Sequence, residues 1–108
     1  MLRPYKLFFE TLCNRNRLQI INSLRRSPLT VTEIMLKTAL NQSTLSHNIR
    51  RLEKCGFVHA RREGKYRIYR LNSKTIKPLM SLINVHIRNY CRKLCMCTEK
   101  ELTAAIRR

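Results

Sequence analysis

Between Asn41 and Gly56 the chain reads Asn-Gln-Ser-Thr-Leu-Ser-His-Asn-Ile-Arg-Arg-Leu-Glu-Lys-Cys-Gly, and its polar residues fall into two chemical groups. Gln42, Ser43, Thr44, Ser46 and His47 are short hydrogen-bonding side chains suited to base edges or phosphates, with the glutamine able to pair in bidentate fashion with adenine. Arg50, Arg51 and Lys54 follow, and positive charge suits phosphates. A second cationic group, Arg61, Arg62, Lys65 and Arg67, fits the DNA backbone or an adjacent minor groove. The structural alternative for both groups is an ordinary solvated basic surface.

A third group is soft. Cys91 and Cys95 are four residues apart, so on a continuous helix their sulfurs share a face and suit a thiophilic metal or metalloid. Cys97 joins them only if the helix ends or bends nearby, and Cys13 or His86 is a further donor across a dimer. Small buried thiols without a ligand are the alternative. The count of five cysteines is odd, and the first 30 residues lack the apolar core of an export signal, which together point to reduced thiols.

Enzymatic chemistry finds no support. Six acids in 108 residues give no Ser-His-Asp grouping, and both glycines fall in turns, leaving no phosphate-cradling loop. The 23 Lys and Arg against six acids leave a net charge of +17, which calls for a polyanionic partner. No basic tail carries it: six cations lie in residues 1–28, nine in 29–72 and eight in 73–108. The 44% apolar content argues for a folded chain, and no stretch is apolar enough to span a membrane. The expectation is a cytoplasmic, nucleoid-associated protein with no membrane partner and no required cofactor, the thiophilic effector being optional.

The elements that must position these groups follow from periodicity. Leu7, Phe8 and Leu12 predict a first helix over Tyr5–Cys13. Asn14 or Asn16 caps a second, with Leu18, Ile20, Ile21 and Leu24 inward, Arg15, Arg17, Arg25 and Arg26 on its surface or ends, and a stop near Ser27-Pro28. Thr30 or Thr32 opens a third helix with Glu33 in its first turn; Val31, Ile34, Met35 and Leu36 face inward. Asn41 caps the helix through Cys55, which is seated by Leu45, Ile49 and Leu52 and ended by Gly56, with Cys55 as helix-end packing. Phe57–Glu63 and Lys65–Leu71 then make a hairpin about Glu63-Gly64, with Tyr66 and Ile68 on one face and Lys65, Arg67, Tyr69 and Leu71 on the other. From residue 74 to 97 a helix carries the stripe Ile76, Leu79, Met80, Ile83, Ile87, Tyr90 and Leu94, longer than the small core can cover, so part of it meets a partner subunit. Residues 98–108 form a short extension. The fold class is mainly α with a small β-hairpin, in the order α-α-α-α-β-β-α, as one winged helix-turn-helix domain over 1–108.

The runs Leu40-Asn41-Gln42-Ser43-Thr44-Leu45-Ser46-His47-Asn48-Ile49, Leu52-Glu53-Lys54-Cys55-Gly56-Phe57-Val58, Arg61-Arg62-Glu63-Gly64-Lys65 and Tyr69-Arg70-Leu71 make the chain resemble the ArsR, or arsenical-repressor, family of winged-helix transcription regulators across roughly residues 5–95. The resemblance implies a homodimer built from its first and last helices, here through Leu7 and Phe8 with the stripe above, that a metal or other signal releases from an operator. It implies a sequence-specific, double-stranded DNA-binding repressor. A low-specificity architectural protein of the same fold is the alternative, favoured by the high charge. The family's usual metal sites are missing: Leu29–Leu36 holds no cysteine, and residues 73–98 offer His86 but no acid.

Overall fold

The computed structural model describes residues 1–95, the side chains of Arg92 and Cys95 excepted. Packing divides the chain into two units, Met1–Ile76 and Lys77–Arg108.

In the first unit α1 spans Leu2–Leu12. It begins three residues before the expected start, because Pro4 lies in the first turn, where a missing N–H costs no hydrogen bond. Asn14 caps α2 (Arg15–Ser23), its side chain accepting from the Arg17 N–H at 3.0 Å. Ile20, Ile21 and Leu24 are buried, whereas Leu18 is exposed, contrary to expectation, so the buried face is narrower than the apolar pattern suggested. Thr30, not Thr32, caps α3 (Val31–Thr38) in a reciprocal capping box with Glu33. Ile34 is the buried residue of α3, and Leu36, expected inward, is 81% exposed. Thr30 also belongs to a two-residue strand, β1 (Leu29–Thr30), absent from the sequence reading because two residues carry no periodicity.

Asn41 caps α4 (Gln42–Lys54), accepting from the Thr44 N–H at 2.8 Å, and Gly56 takes the expected positive φ of +73° just after it. The short link between α3 and α4 contains no glycine; Ala39 adopts the left-handed conformation there, with φ +59°. Strands β2 (Val58–Glu63) and β3 (Tyr66–Leu71) form the wing. Glu63 faces Tyr66 across a two-residue turn whose first residue, Gly64, has φ +59°. The sheet has three antiparallel strands in the order β1-β3-β2, not two, with Leu29 opposite Tyr69 and Thr30 opposite Ile68. The expected division of β3 into two faces holds, and the face bearing Tyr69 and Leu71 is the buried one, while Tyr66 is exposed.

The core of this unit joins Ile20, Ile21 and Ile34 to Leu45, Leu52, Phe57 and Val58, all at most 1% exposed. The Phe8 ring packs on Phe57 with centroids 5.0 Å apart. In the second unit α5 (Ile76–His86) opens on the boundary residue and runs into a π-helical segment, Ile87–Cys91, and then α6 (Arg92–Cys95). The expected uninterrupted α-helix is therefore broken in register at Ile87. Among the described residues no helix is long and apolar enough to cross a membrane.

Candidate nucleic-acid interface

Helix α4 buries Leu45, Asn48, Ile49 and Leu52 and turns the opposite surface outward. Ser43, His47, Arg50 and Lys54, spaced four, three and four residues apart, are exposed and make one outward row; Gln42 is exposed at its start. Thr44 and Ser46 are half-buried at its edges. Asn48 is a polar residue inside the apolar stripe, 5% exposed, and both its polar atoms have a partner: its Nδ2 donates to Thr44 O at 2.8 Å and its Oδ1 accepts from Arg17 Nη1 at 3.2 Å.

Arg17 was expected on the surface of α2. It is instead half-buried and donates to three acceptors on two other helices: Thr11 O at 2.5 Å, Glu10 O at 3.0 Å and Asn48 Oδ1. The carbonyls are the last of α1, which lack intrahelical donors, so one guanidinium fork closes α1 and fixes it to α4. Arg51 also turns toward α1, donating from Nε to the buried Thr11 Oγ1 at 3.2 Å, and Cys55 Sγ lies 3.5 Å from the same oxygen. Thus Arg50 and Arg51, adjacent in sequence, have different surroundings: one is open to solvent, the other braced against α1.

On the wing, cross-strand partners point to the same face, so Arg62 and Arg67, opposite each other, share the side of Ala60 and Tyr69. Arg61, opposite Ile68, lies on the other side and pairs with Glu63. Lys65 sits in the turn. Arg67 Nη2 is 3.7 Å from Glu53 Oε2 on α4, and its guanidinium stands 5.9 Å from the centre of the Tyr69 ring. Burial pushes the Tyr69 phenol above its ordinary pKa, the Arg67 charge opposing that rise and Glu53 adding to it. Glu53 therefore ties α4 to the wing. Sequence reasoning passed over Glu53, Asn48, Arg17 and Thr11; the signal within reach was Asn48, polar at a position where Leu45, Ile49 and Leu52 demand an apolar residue.

The four described carboxylates are all engaged: Glu10 with Lys6, Glu33 in the α3 cap, Glu53 with Arg67 and Glu63 with Arg61. None lies in the outward row of α4. Among the described residues no three His, Cys, Asp or Glu side chains converge as a metal site. Cys91 is half-buried and ends the π-helical segment, Cys95 is described for its backbone alone, and Cys97 lies outside the described residues.

A model of the bacterial regulatory protein arsR family matches residues 14–60, the stretch from the α2 cap to the first strand of the wing. The transcriptional activator HlyU of Vibrio cholerae is 31% identical over 86 residues, covering 80% of this chain and 77% of that protein. The chain belongs to the ArsR family. The HTH-type transcriptional regulator Rv0324 of Mycobacterium tuberculosis is 36% identical over 76 residues, 70% of this chain, and this chain spans only 34% of that relative's length. Among solved structures, the homodimeric winged helix-turn-helix DNA-binding domain of Mb0332 from Mycobacterium bovis, a possible ArsR-family regulator, superposes with a TM-score of 0.77 at 30% identity, covering 85% of each chain. The family is one of transcriptional regulators and not of enzymes, and the chain carries its winged helix-turn-helix fold.

Proposed function

We propose that the chain is a homodimeric repressor that binds double-stranded DNA sequence-specifically, with α4 in the major groove and the wing against the adjacent backbone or minor groove. The observation that carries the reading is the outward row of α4: hydrogen-bonding Gln42, Ser43 and His47 at the front, Arg50 and Lys54 behind, with no carboxylate among them. Gln42, Ser43, Thr44, Ser46 and His47 contact base edges or the nearest phosphates, and Arg50, Arg62, Lys65 and Arg67 contact phosphates. Arg61 reaches the backbone from the other wing face. Arg51, braced on Thr11, supports α4 and offers the backbone only the rest of its guanidinium.

Dimerisation rests on exposed apolar surface. On α1, Leu2, Tyr5, Leu7 and Phe9 are exposed; on the C-terminal helix, Leu82, Val85, Ile87, Tyr90 and Leu94 are. Phe8 and Ile76 also belong to the proposed interface, though Phe8 is half-buried against Phe57 and Ile76 is only 4% exposed in the single chain. Leu79, Met80 and Ile83 remain in the proposed interface, and 1–108 is read as one working domain in a cytoplasmic, nucleoid-associated protein. That the similar domain from Mycobacterium bovis is homodimeric supports a homodimer.

Selection of bound duplexes from a random pool at two salt concentrations tests the reading. A two-fold symmetric site with half-sites about one helical turn, roughly 10 bp, apart or a multiple of it is expected. A specificity ratio near one with steep salt dependence would overturn it in favour of an architectural binder, the reading that the net charge of +17 favours. A thiophilic effector at Cys91 and Cys95, with Cys97, predicts that a soft metal or arsenite dissociates the complex; an unchanged response in the Cys91→Ser, Cys95→Ser double variant rules out that site.

A further inference from the structure

Between the start of α2 and the first two turns of α4 lies a groove of about 520 Å³ lined by Asn14, Asn16, Arg17, Ser43, Thr44, His47 and Asn48. Every lining side chain is polar and none is acidic. Two of its acceptors are spent internally: Asn14 Oδ1 takes the Arg17 N–H and Asn48 Oδ1 takes Arg17 Nη1. Several of its donors are free, for Asn16, Ser43 and His47 make no side-chain hydrogen bond to another described residue, and the Asn14 amide nitrogen has no partner there either. Beneath them Arg17 is held by carbonyl and carboxamide oxygens only, so no carboxylate cancels its charge. A surface offering several free donors, no carboxylate and an uncompensated cation fits an anion with several acceptor oxygens.

We infer that this groove seats a backbone phosphate of the bound DNA, making Asn16, together with Ser43 and His47, an anchor beside the reading row of α4. The occupant follows from continuity, because Ser43 and His47 belong both to the groove wall and to the outward row, so a duplex lying along α4 runs past the groove mouth. A phosphodiester there fixes the register of α4 in the major groove without reading sequence. The inference rests on the DNA-binding reading above, and extends the interface to α2.

The test uses Asn16→Ala and Asn16→Asp in the full chain. Asn16 lies in the first turn of α2 and has no intrachain side-chain partner, and an acid in that turn favours the helix. Lost binding in Asn16→Asp with an unchanged melting temperature therefore does not come from unfolding. Asn16→Ala is expected to weaken binding about tenfold, by the same factor for the selected site and for unrelated duplex. Asn16→Asp is expected to weaken it further. Replacing single phosphates by methylphosphonate should reveal one position per half-site that weakens the wild type but not Asn16→Ala. Wild-type affinity in both variants, with Gln42→Ala still altering base preference, would overturn the groove contact while leaving the DNA reading intact. Absence of any duplex binding by the wild type would overturn both. A third outcome, saturable binding of inorganic phosphate at Asn16 and His47 with DNA affinity insensitive to either variant, would make the groove a small-anion site and refute the inference.

Discussion

Arg17→Met isolates the brace between α1 and α4, because it removes the guanidinium while keeping most of the aliphatic stem. Three donated bonds disappear. Glu10 is exposed, so its carbonyl rehydrates at little cost, whereas Thr11 is fully buried and Asn48 is 5% exposed, which leaves two acceptors with poor access to water. Each buried acceptor without a partner costs about 1–3 kcal/mol, and part of that is returned because the half-buried guanidinium no longer needs to be desolvated. The net expectation is a loss of about 3 kcal/mol, which lowers Tm by on the order of 15 °C in a domain of this size. Urea unfolding followed by far-UV circular dichroism measures it. A double-mutant cycle with Asn48→Ala should give a coupling of about 1 kcal/mol or more, and Arg17→Lys should rescue only part of the loss because an ammonium cannot serve three acceptors in fork geometry. A loss under about 0.5 kcal/mol with no coupling would refute the brace and return Arg17 to the role of a surface cation.

Leu45→Ala, at a position with no solvent exposure, should cost about 2–5 kcal/mol in the same unfolding assay; a smaller loss would mean that α4 is not seated by this side chain. Ala39→Gly relieves a left-handed residue that bears a Cβ and should leave stability unchanged or raise it by up to about 1 kcal/mol. A clear loss would contradict the observed φ. The Thr30 backbone N–H and then its hydroxyl hold the Glu33 carboxyl below its ordinary pKa. Its stabilisation is therefore present above the unfolded-state pKa and is lost as pH falls through the lower folded-state value. The stability difference between wild type and Glu33→Gln should shrink on acidification through that window, and a pH-independent difference would argue against the capping box. Glu53→Gln weakens the tie to Arg67 and should alter wing contacts, seen as changed protection of flanking DNA at unchanged core base preference.

Much of the fold was legible because its signals are local and periodic. Asn41 and Gly56 bracket α4 by side-chain chemistry and positive φ, and the Leu45, Ile49, Leu52 spacing orients it without tertiary information. Thr30 and Glu33 likewise announce α3. What escaped depends on encounters between distant residues. Strand β1 exists because Leu29 and Thr30 meet Tyr69 and Ile68, nearly forty residues on. Arg17 looked like one more cation in a basic chain, and only the approach of the α1 carbonyls and Asn48 makes it internal. The exposed Leu18 and Leu36 carry the apolar signal without the burial, and Arg61 parts from Arg62 because neighbouring strand residues point to opposite faces. The π-helical segment at Ile87–Cys91 carries no sequence signature that the three-and-four spacing reveals, so the spacing of the apolar stripe and of the Cys91–Cys95 pair implies a helix more regular than the one that forms.

With its described carboxylates already engaged, the chain holds a large unbalanced charge at close quarters, and added salt should act on it in two opposed senses. Screening relieves repulsion among the free cations and so favours the compact state, while the same ions compete with the protein for DNA phosphates. Folding stability is expected to climb with ionic strength over the range in which operator affinity falls. The conditions under which the free protein is most robust are then those under which it holds DNA least, and duplex DNA takes over from salt as the counter-charge when it is bound.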